Sequence, residues 1–161
     1  MKLVVADTTP INYLILIGEI EVLFKLFSKV VLPAHVHQVE LHGLKTPKMV
    51  REWADNLPAW VEVMKPTRLE PSTLDLGEME AIALARELNA PVLLDEREAR
   101  TEAKKQGVLV IGTLGVLELG DERGLLNLPA AVAKLRATNA RISSELLDGA
   151  VLRSLQRRGL S

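Results

Sequence analysis

Two aspartates close two apolar runs in this chain. Leu3-Val4-Val5-Ala6 leads into Asp7, and Pro91-Val92-Leu93-Leu94 leads into Asp95. Apolar residues that follow one another without alternation read as short strands buried on both faces. Each aspartate thus stands at the carboxyl end of a buried strand and ahead of a helix, where sites in open α/β sheets lie. If the two strands are neighbours, they run only about 5 Å apart. Carboxylates that close raise each other's pKa unless a cation sits between them. Oxygen donors select Mg²⁺ or Mn²⁺ over softer metals, and the chain has no cysteine to compete.

Other acids could join them. Glu78 falls in the first turn of an apolar helix, although with Asp75 three residues earlier it also has the spacing of a capping pair. Glu80 lies on another part of the same turn. Glu40 sits in a stretch, Ala34 to Leu41, that reads as helix, where a glutamate is more often simply solvated. Asp7 also has a plainer role open to it, accepting bonds from nearby backbone N–H groups. Thr9 suits the cap of the following helix and Pro10 its first position.

The elements that must position these acids alternate. Strands are expected at Leu3–Ala6, Val30–Leu32, Val61–Val63 (an edge strand by its alternation), Pro91–Leu94 and Val108–Ile111. Helices are expected at Pro10–Ile17, Glu19–Phe27, Ala34–Leu41, Pro47–Asp55, Gly77–Leu88, Glu96–Gln106, Leu114–Glu122, Pro129–Ala137 and Ser144–Arg158. Strand–helix alternation means a parallel sheet with right-handed crossovers and helices on both faces, an α/β fold of the three-layer α/β/α sandwich type. No repeat, low-complexity segment or linker divides the chain.

Composition bounds the function. The 161 residues favour one domain, and 48% hydrophobic residues argue against disorder. The net charge of −1 gives no whole-protein field for nucleic acid, so such binding must come from local patches. No stretch approaches the roughly 20 apolar residues of a membrane span, and Asp7, Pro10 and Asn12 interrupt the leading run too early for a signal peptide. No membrane role is expected, and a cytoplasmic location is the default.

Several lesser features have plain readings. His35 and His37 do not share a helical face and make a poor metal pair, and a surface position is the simpler reading of both. Trp53 and Trp60 are expected to pack under the connections of the third strand. Aromatics at 3% provide no base-stacking platform. Gly112-Thr113-Leu114-Gly115 follows a strand and precedes a helix, where backbone N–H groups could cradle a phosphate. It lacks the lysine of a P-loop, and a tight turn is the simpler reading. Arg97, Arg100, Lys104 and Lys105 could meet RNA phosphates or form a solvated face. Arg153, Arg157 and Arg158 form a basic end on the last helix that could serve RNA or an acidic partner, although cations there are favourable without any function.

In order and spacing, these motifs resemble the PIN-domain family of metal-dependent ribonucleases, which includes the VapC toxins of prokaryotic toxin–antitoxin pairs. The resemblance runs from Leu3 to about Gly124. Val4 to Pro10 is similar to the family's first motif. Glu40 falls at its second acid, and Leu76-Gly77-Glu78-Met79-Glu80-Ala81-Ile82-Ala83 resembles the third motif. Leu93-Leu94-Asp95-Glu96 resembles the fourth, which elsewhere often reads Thr-x-Asp or Asn-Asp. With Arg100 and Val110 to Leu117, the last two motifs are most similar to a poorly characterised PIN-like subgroup of prokaryotic proteins.

The resemblance implies a five-stranded parallel sheet with the acids gathered at one edge around Mg²⁺ or Mn²⁺. It implies a catalytic core over residues 1–124, with residues 125–161 a helical extension packed on the same domain. Asp7, Glu40, Glu78 and Asp95 are the implied catalytic set, with Asp7, Glu78 and Asp95 as metal ligands. Thr9, Glu80 and Glu96 are supporting or alternative ligands; strand geometry favours Asp95 over Glu96. Arg100 and Thr113 are candidate contacts to RNA phosphate. The implied partners are an RNA substrate, a small antitoxin protein and a second copy of the chain.

Two other classes compete. A receiver or aspartyl phosphatase also uses an aspartate at a strand end. A receiver wants a lysine after its last strand, where Gly112-Thr113 stands, and the phosphatase wants a second aspartate where Thr9 stands. A binding module on the same scaffold, without nuclease action, is the other alternative.

Overall fold

The computed structural model describes residues 2–159, so residues 1, 160 and 161 of the two expected regions lie outside the description. Strands β1 (Leu3–Ala6), β2 (Lys29–Pro33), β3 (Val61–Met64), β4 (Val92–Leu93) and β5 (Val110–Ile111) form one parallel sheet in the order β3-β2-β1-β4-β5. The continuous apolar runs of β1, β2 and β4 belong to inner strands, and the alternating β3 lies at one edge, as its pattern implies; the equally continuous run Val108–Ile111 supplies β5, at the other edge.

Helices α1 (Thr8–Leu16) and α2 (Val22–Phe27) connect β1 to β2. Helices α3 (Ala34–Gln38) and α4 (Lys48–Asp55) connect β2 to β3. Helix α5 (Leu76–Leu88) crosses back to β4, and α6 (Arg97–Lys105) leads to β5. Helices α7 (Thr113–Glu122), α8 (Leu128–Arg136) and α9 (Ser144–Arg157) complete the chain. Right-handed crossovers that step outward from β1 in opposite directions must cover opposite faces. Two cores result. Val4, Ala6, Val30, Leu32 and Leu93 pack with residues of α1, α2, α4, α7, α8 and α9. Val5, Val31, Val92 and Leu94 pack with α5 and α6. The last two helices bury Leu128, Val132, Leu135, Leu147 and Ala150 in the first of these cores.

Three local expectations are corrected. Helix α1 begins at Thr8 with Asp7 at its cap position and no side-chain cap bond, so Thr9 is not the cap. Glu40 is not in a continuous helix: α3 ends at Gln38, and Glu40–His42 form a separate 3-10 turn. Finally, the basic end of α9 is bound internally. Arg153 pairs with Glu118, while Arg157 and Arg158 pair with Asp121, so these cations fasten α9 to α7. Trp60 does pack beside β3, stacked on Phe24 at 5.7 Å and 6.4 Å from the Trp53 ring.

Candidate metal centre

Ala6 pairs with Leu93, and the Asp7 N–H donates to the Leu93 carbonyl at 3.1 Å. By strand alternation the Asp7 side chain follows Val5 toward α5 and α6. The residue is 5% exposed, and its Oδ1 is buried without a hydrogen-bond partner. Burial, with repulsion from Glu40, Asp75 and Glu78, outweighs a hydrogen bond from the Thr8 backbone and pushes the carboxyl up to about 8. A buried acceptor left without a donor costs about 1–3 kcal/mol, and more when charged.

The other acids arrive from both sides of β1. From the β2 side, the 3-10 turn delivers Glu40. The Thr8 hydroxyl donates to its Oε1, and His35 Nε2 stands 3.4 Å from its Oε2. His35 is therefore half-buried against an acid rather than a surface residue. From α5, Glu78 is both a capping residue and a pocket residue. Its N–H donates to Asp75 at 2.8 Å, and its own Oε1 accepts from the Asp75 N–H at 3.3 Å. Burial first, then the Asp75, Glu96 and Glu40 charges, raise the Glu78 carboxyl above the usual range. From the β4 side, Glu96 stands at the cap position of α6. Asp7, Glu40, Asp75, Glu78 and Glu96 all line one cavity of about 1000 Å³, together with Thr8, Thr9 and Asn12.

Asp95 turns away from that cavity. Its Oδ1 accepts from the Thr113 N–H at 2.8 Å and its Oδ2 from the Thr113 hydroxyl at 2.5 Å. It thereby ties the end of β4 to the first residue of α7, on the face opposite Asp7. Neighbouring residues at a strand end point to opposite faces, so the adjacent Glu96 takes the cavity position instead. Thr113 is fully buried with both donors spent on Asp95, which corrects its reading as a phosphate contact. Arg100 is likewise engaged, donating to the Leu94 carbonyl at 2.8 Å. Gly112 permits this knot, since a Cβ there would stand 2.8 Å from Arg100 Nη1 and 3.1 Å from Asp95 Oδ1. Glu80 is buried and accepts the His35 N–H at 3.0 Å, closing the start of α3 rather than facing the cavity.

The donors in the cavity are carboxylate and hydroxyl oxygens, and Asp7 Oδ1 is a buried acceptor with nothing to accept. Such a set suits a hard divalent cation. Among the described residues no three acids or histidines converge as a ready-made cluster. Glu40 and Glu78 are instead held by Thr8 and Asp75, within the same cavity as Asp7.

A family model described as DUF3368, PIN domain, matches residues 3–157. The chain belongs to the PIN-domain family. The matched span takes in α8 and all of α9, beyond the region that resembles the family by motif. Members of the family are generally nucleases that use divalent metal ions. A solved structure of a PilT N-terminus domain protein from the hyperthermophilic archaeon Sulfolobus solfataricus is similar, with a TM-score of 0.51 and 22% identity. The likeness covers 71% of this chain and 89% of that one, and it supports the five-stranded α/β fold of this PIN domain. No curated protein matches the chain.

Sequence reasoning overlooks several residues that the fold brings to this PIN-domain cavity, among them Thr8, Leu44, Lys45, Glu98 and, as a cavity acid, Asp75. Thr8 adjoins Asp7 and could have been preferred to Thr9 on helix register. Leu44 and Lys45 carry no signal beyond a Gly-x-x-Thr-Pro turn.

Proposed function

We propose that this PIN domain is a metal-dependent ribonuclease that hydrolyses RNA phosphodiester bonds. The observation that carries the reading is the buried, unpartnered Oδ1 of Asp7 in an oxygen-lined cavity at the carboxyl edge of β1. Asp7, Glu40, Glu78 and Glu96 are the residues that would hold Mg²⁺ or Mn²⁺. A divalent cation supplies Lewis acidity toward the phosphodiester and toward an attacking water. The chain's own contribution is preorganisation. Thr8 orients Glu40, the Asp75 backbone orients Glu78, and burial keeps a proton on Asp7 that cation uptake would release. Family membership extends the proposal to a toxin relieved by a small antitoxin; growth arrest on expression of the intact chain, but not of Asp7→Asn, is the expected result.

The direct test is cleavage of a labelled RNA in Mn²⁺. EDTA and Asp7→Asn are each expected to abolish cleavage while the circular dichroism spectrum is unchanged. Full activity in Asp7→Asn would overturn the assignment. One observation favours a second reading, a binding module without cleavage: Glu40 and Glu78 already have hydrogen-bond partners and no cluster of three is preformed. A calorimetric Mn²⁺ titration separates the two, since the module would take up no ion.

A further inference from the structure

Among the described residues, the cavity that holds Asp7 is lined by six carboxylates and only two cations, Lys45 and Arg97. Any phosphodiester that enters must pass this negative field, so the two cations matter more than their number suggests. They sit on opposite sides of β1. Lys45 comes from the turn that follows β2 and α3, and Arg97 is the first residue of α6, which follows β4. Both are exposed, and among the described residues neither enters an ion pair. Arg100, one turn further along α6, is spent on the Leu94 carbonyl, so it does not substitute for Arg97.

The Lys45 turn is built rather than loose. The Thr46 N–H donates to the Gly43 carbonyl at 3.1 Å, closing a four-residue turn with Leu44 and Lys45 at its tip. The Thr46 hydroxyl donates to the Glu40 carbonyl at 3.0 Å, so the turn is fastened to the backbone of a cavity acid. Leu44 is 102% exposed at the mouth of a charged cavity. A leucine there gains nothing from a phosphate or from the backbone of a duplex. It gains by apolar contact, not aromatic stacking, with the face of an unstacked base.

We propose that the Gly43–Thr46 turn and Arg97 form a subsite for single-stranded RNA. Lys45 and Arg97 bind the phosphates on either side of the bond that lies over Asp7, and Leu44 supports one splayed base. All three are positioning residues, and the inference rests on the ribonuclease reading above.

The test combines kinetics with binding. Lys45→Ala, Arg97→Ala and Leu44→Ser are assayed with a single-stranded oligoribonucleotide and with its duplex. Each is expected to raise KM for the single strand about five- to tenfold while kcat stays within about twofold. Lys45→Arg is expected to restore KM. In an Asp7→Asn background, which removes cleavage, anisotropy of the fluorescein-labelled single strand measures affinity against salt. Lys45→Ala and Arg97→Ala are each expected to lower the slope of log affinity against log salt by about 0.7, the value for one phosphate contact on a single strand. Leu44→Ser is expected to weaken binding without changing that slope. Unchanged KM and slope in an active enzyme would overturn the subsite and leave the ribonuclease reading standing. A wild-type protein that takes up no Mn²⁺ and cleaves no RNA would overturn the ribonuclease reading and the subsite with it. Wild-type preference for the duplex, or a Leu44 surface that instead captures a second copy of the chain, would also overturn it.

Discussion

The carboxylate of Glu40 lies directly across the backbone of Gly77, where a Cβ would stand 2.8 Å from the Glu40 Cδ. The two residues belong to different connections, and the missing side chain at position 77 lets the acid reach the start of α5 beside Glu78. A flexible carboxylate can move aside, so Gly77→Ala is cheap for the fold. Helix propensity favours alanine by about 1 kcal/mol in a helix interior and by less at this first-turn position. Gly77→Ala is therefore expected to leave the melting temperature within a few degrees of wild type, or slightly above it, while displacing Glu40 and lowering cleavage by at least about tenfold. Activity equal to wild type would show that the Glu40 position is immaterial.

Asp7 sets a conflict between stability and the site. Its carboxyl is raised to about 8 in the fold, chiefly by burial, against 3.8 in the unfolded chain. Between those values the folded state holds a proton that the unfolded state has lost. The unfolded state thus binds fewer protons, and stability falls as pH rises from about 4 to about 8. Asp7→Asn removes that dependence. In metal-free protein at pH 8 it is expected to melt higher than wild type, and Mn²⁺, which should raise the wild-type melting temperature, is expected not to shift the variant. A variant that melts lower in EDTA, or that is still stabilised by Mn²⁺, would contradict this.

Asp95 and Glu96 are adjacent yet do different work, and substitution should separate them. Asp95 accepts two hydrogen bonds from the fully buried Thr113 and so joins β4 to α7. Asp95→Ala leaves those donors bare and is expected to destabilise the domain by about 1–3 kcal/mol in a urea titration. Glu96 is exposed on the cavity side. Glu96→Gln is expected to change stability by less than about 0.5 kcal/mol while weakening Mn²⁺ affinity and cleavage. The opposite pattern would return the ligand role to Asp95.

That pair also marks how far the chain can be read without coordinates. Unbroken apolar runs such as Val4–Ala6 and Val92–Leu94 identify strands covered on both faces but not their place in the sheet, since the run Val108–Ile111 forms the edge strand β5. The turn from one outward crossover to the other places the acids at the carboxyl edge of β1 and β4, which the element order alone implies. What such runs do not encode is side-chain parity past the end of a two-residue strand. A shift of one position exchanges the faces, so the apolar pattern that locates the edge does not choose between Asp95 and Glu96. Glu80 illustrates a second limit. An acid that closes the start of a neighbouring helix, as Glu80 does for His35, carries the same local signature as one that faces a cavity. Leu44 and Lys45 illustrate a third, since a turn owes its place to tertiary hydrogen bonds such as Thr46 to Glu40.

Asp121 offers an acid-side counterpart to Asp7. Its side chain is 1% exposed, and it accepts from the Leu128 N–H at 3.0 Å, from Arg157 at 2.7 Å and from Arg158. Burial alone would raise the carboxyl, but the Leu128 N–H and the two guanidinium groups outweigh it and hold it at about 2. Here the unfolded chain binds the proton first on acidification. The stabilisation is complete above about 4 and is lost as pH falls toward 2. Asp121→Asn keeps an acceptor for Leu128 but removes the charge that binds α9, so it is expected to cost about 2 kcal/mol at pH 7. Below pH 3 the difference from wild type should shrink toward zero. The two windows, from 2 to 4 for Asp121 and from 4 to 8 for Asp7, do not overlap. Urea titrations of both Asn variants across pH 2 to 9 should therefore show one variant converging on wild type in acid and the other diverging upward in base. A flat Asp121→Asn difference across the acid range would mean that the α7–α9 contact is held by packing alone.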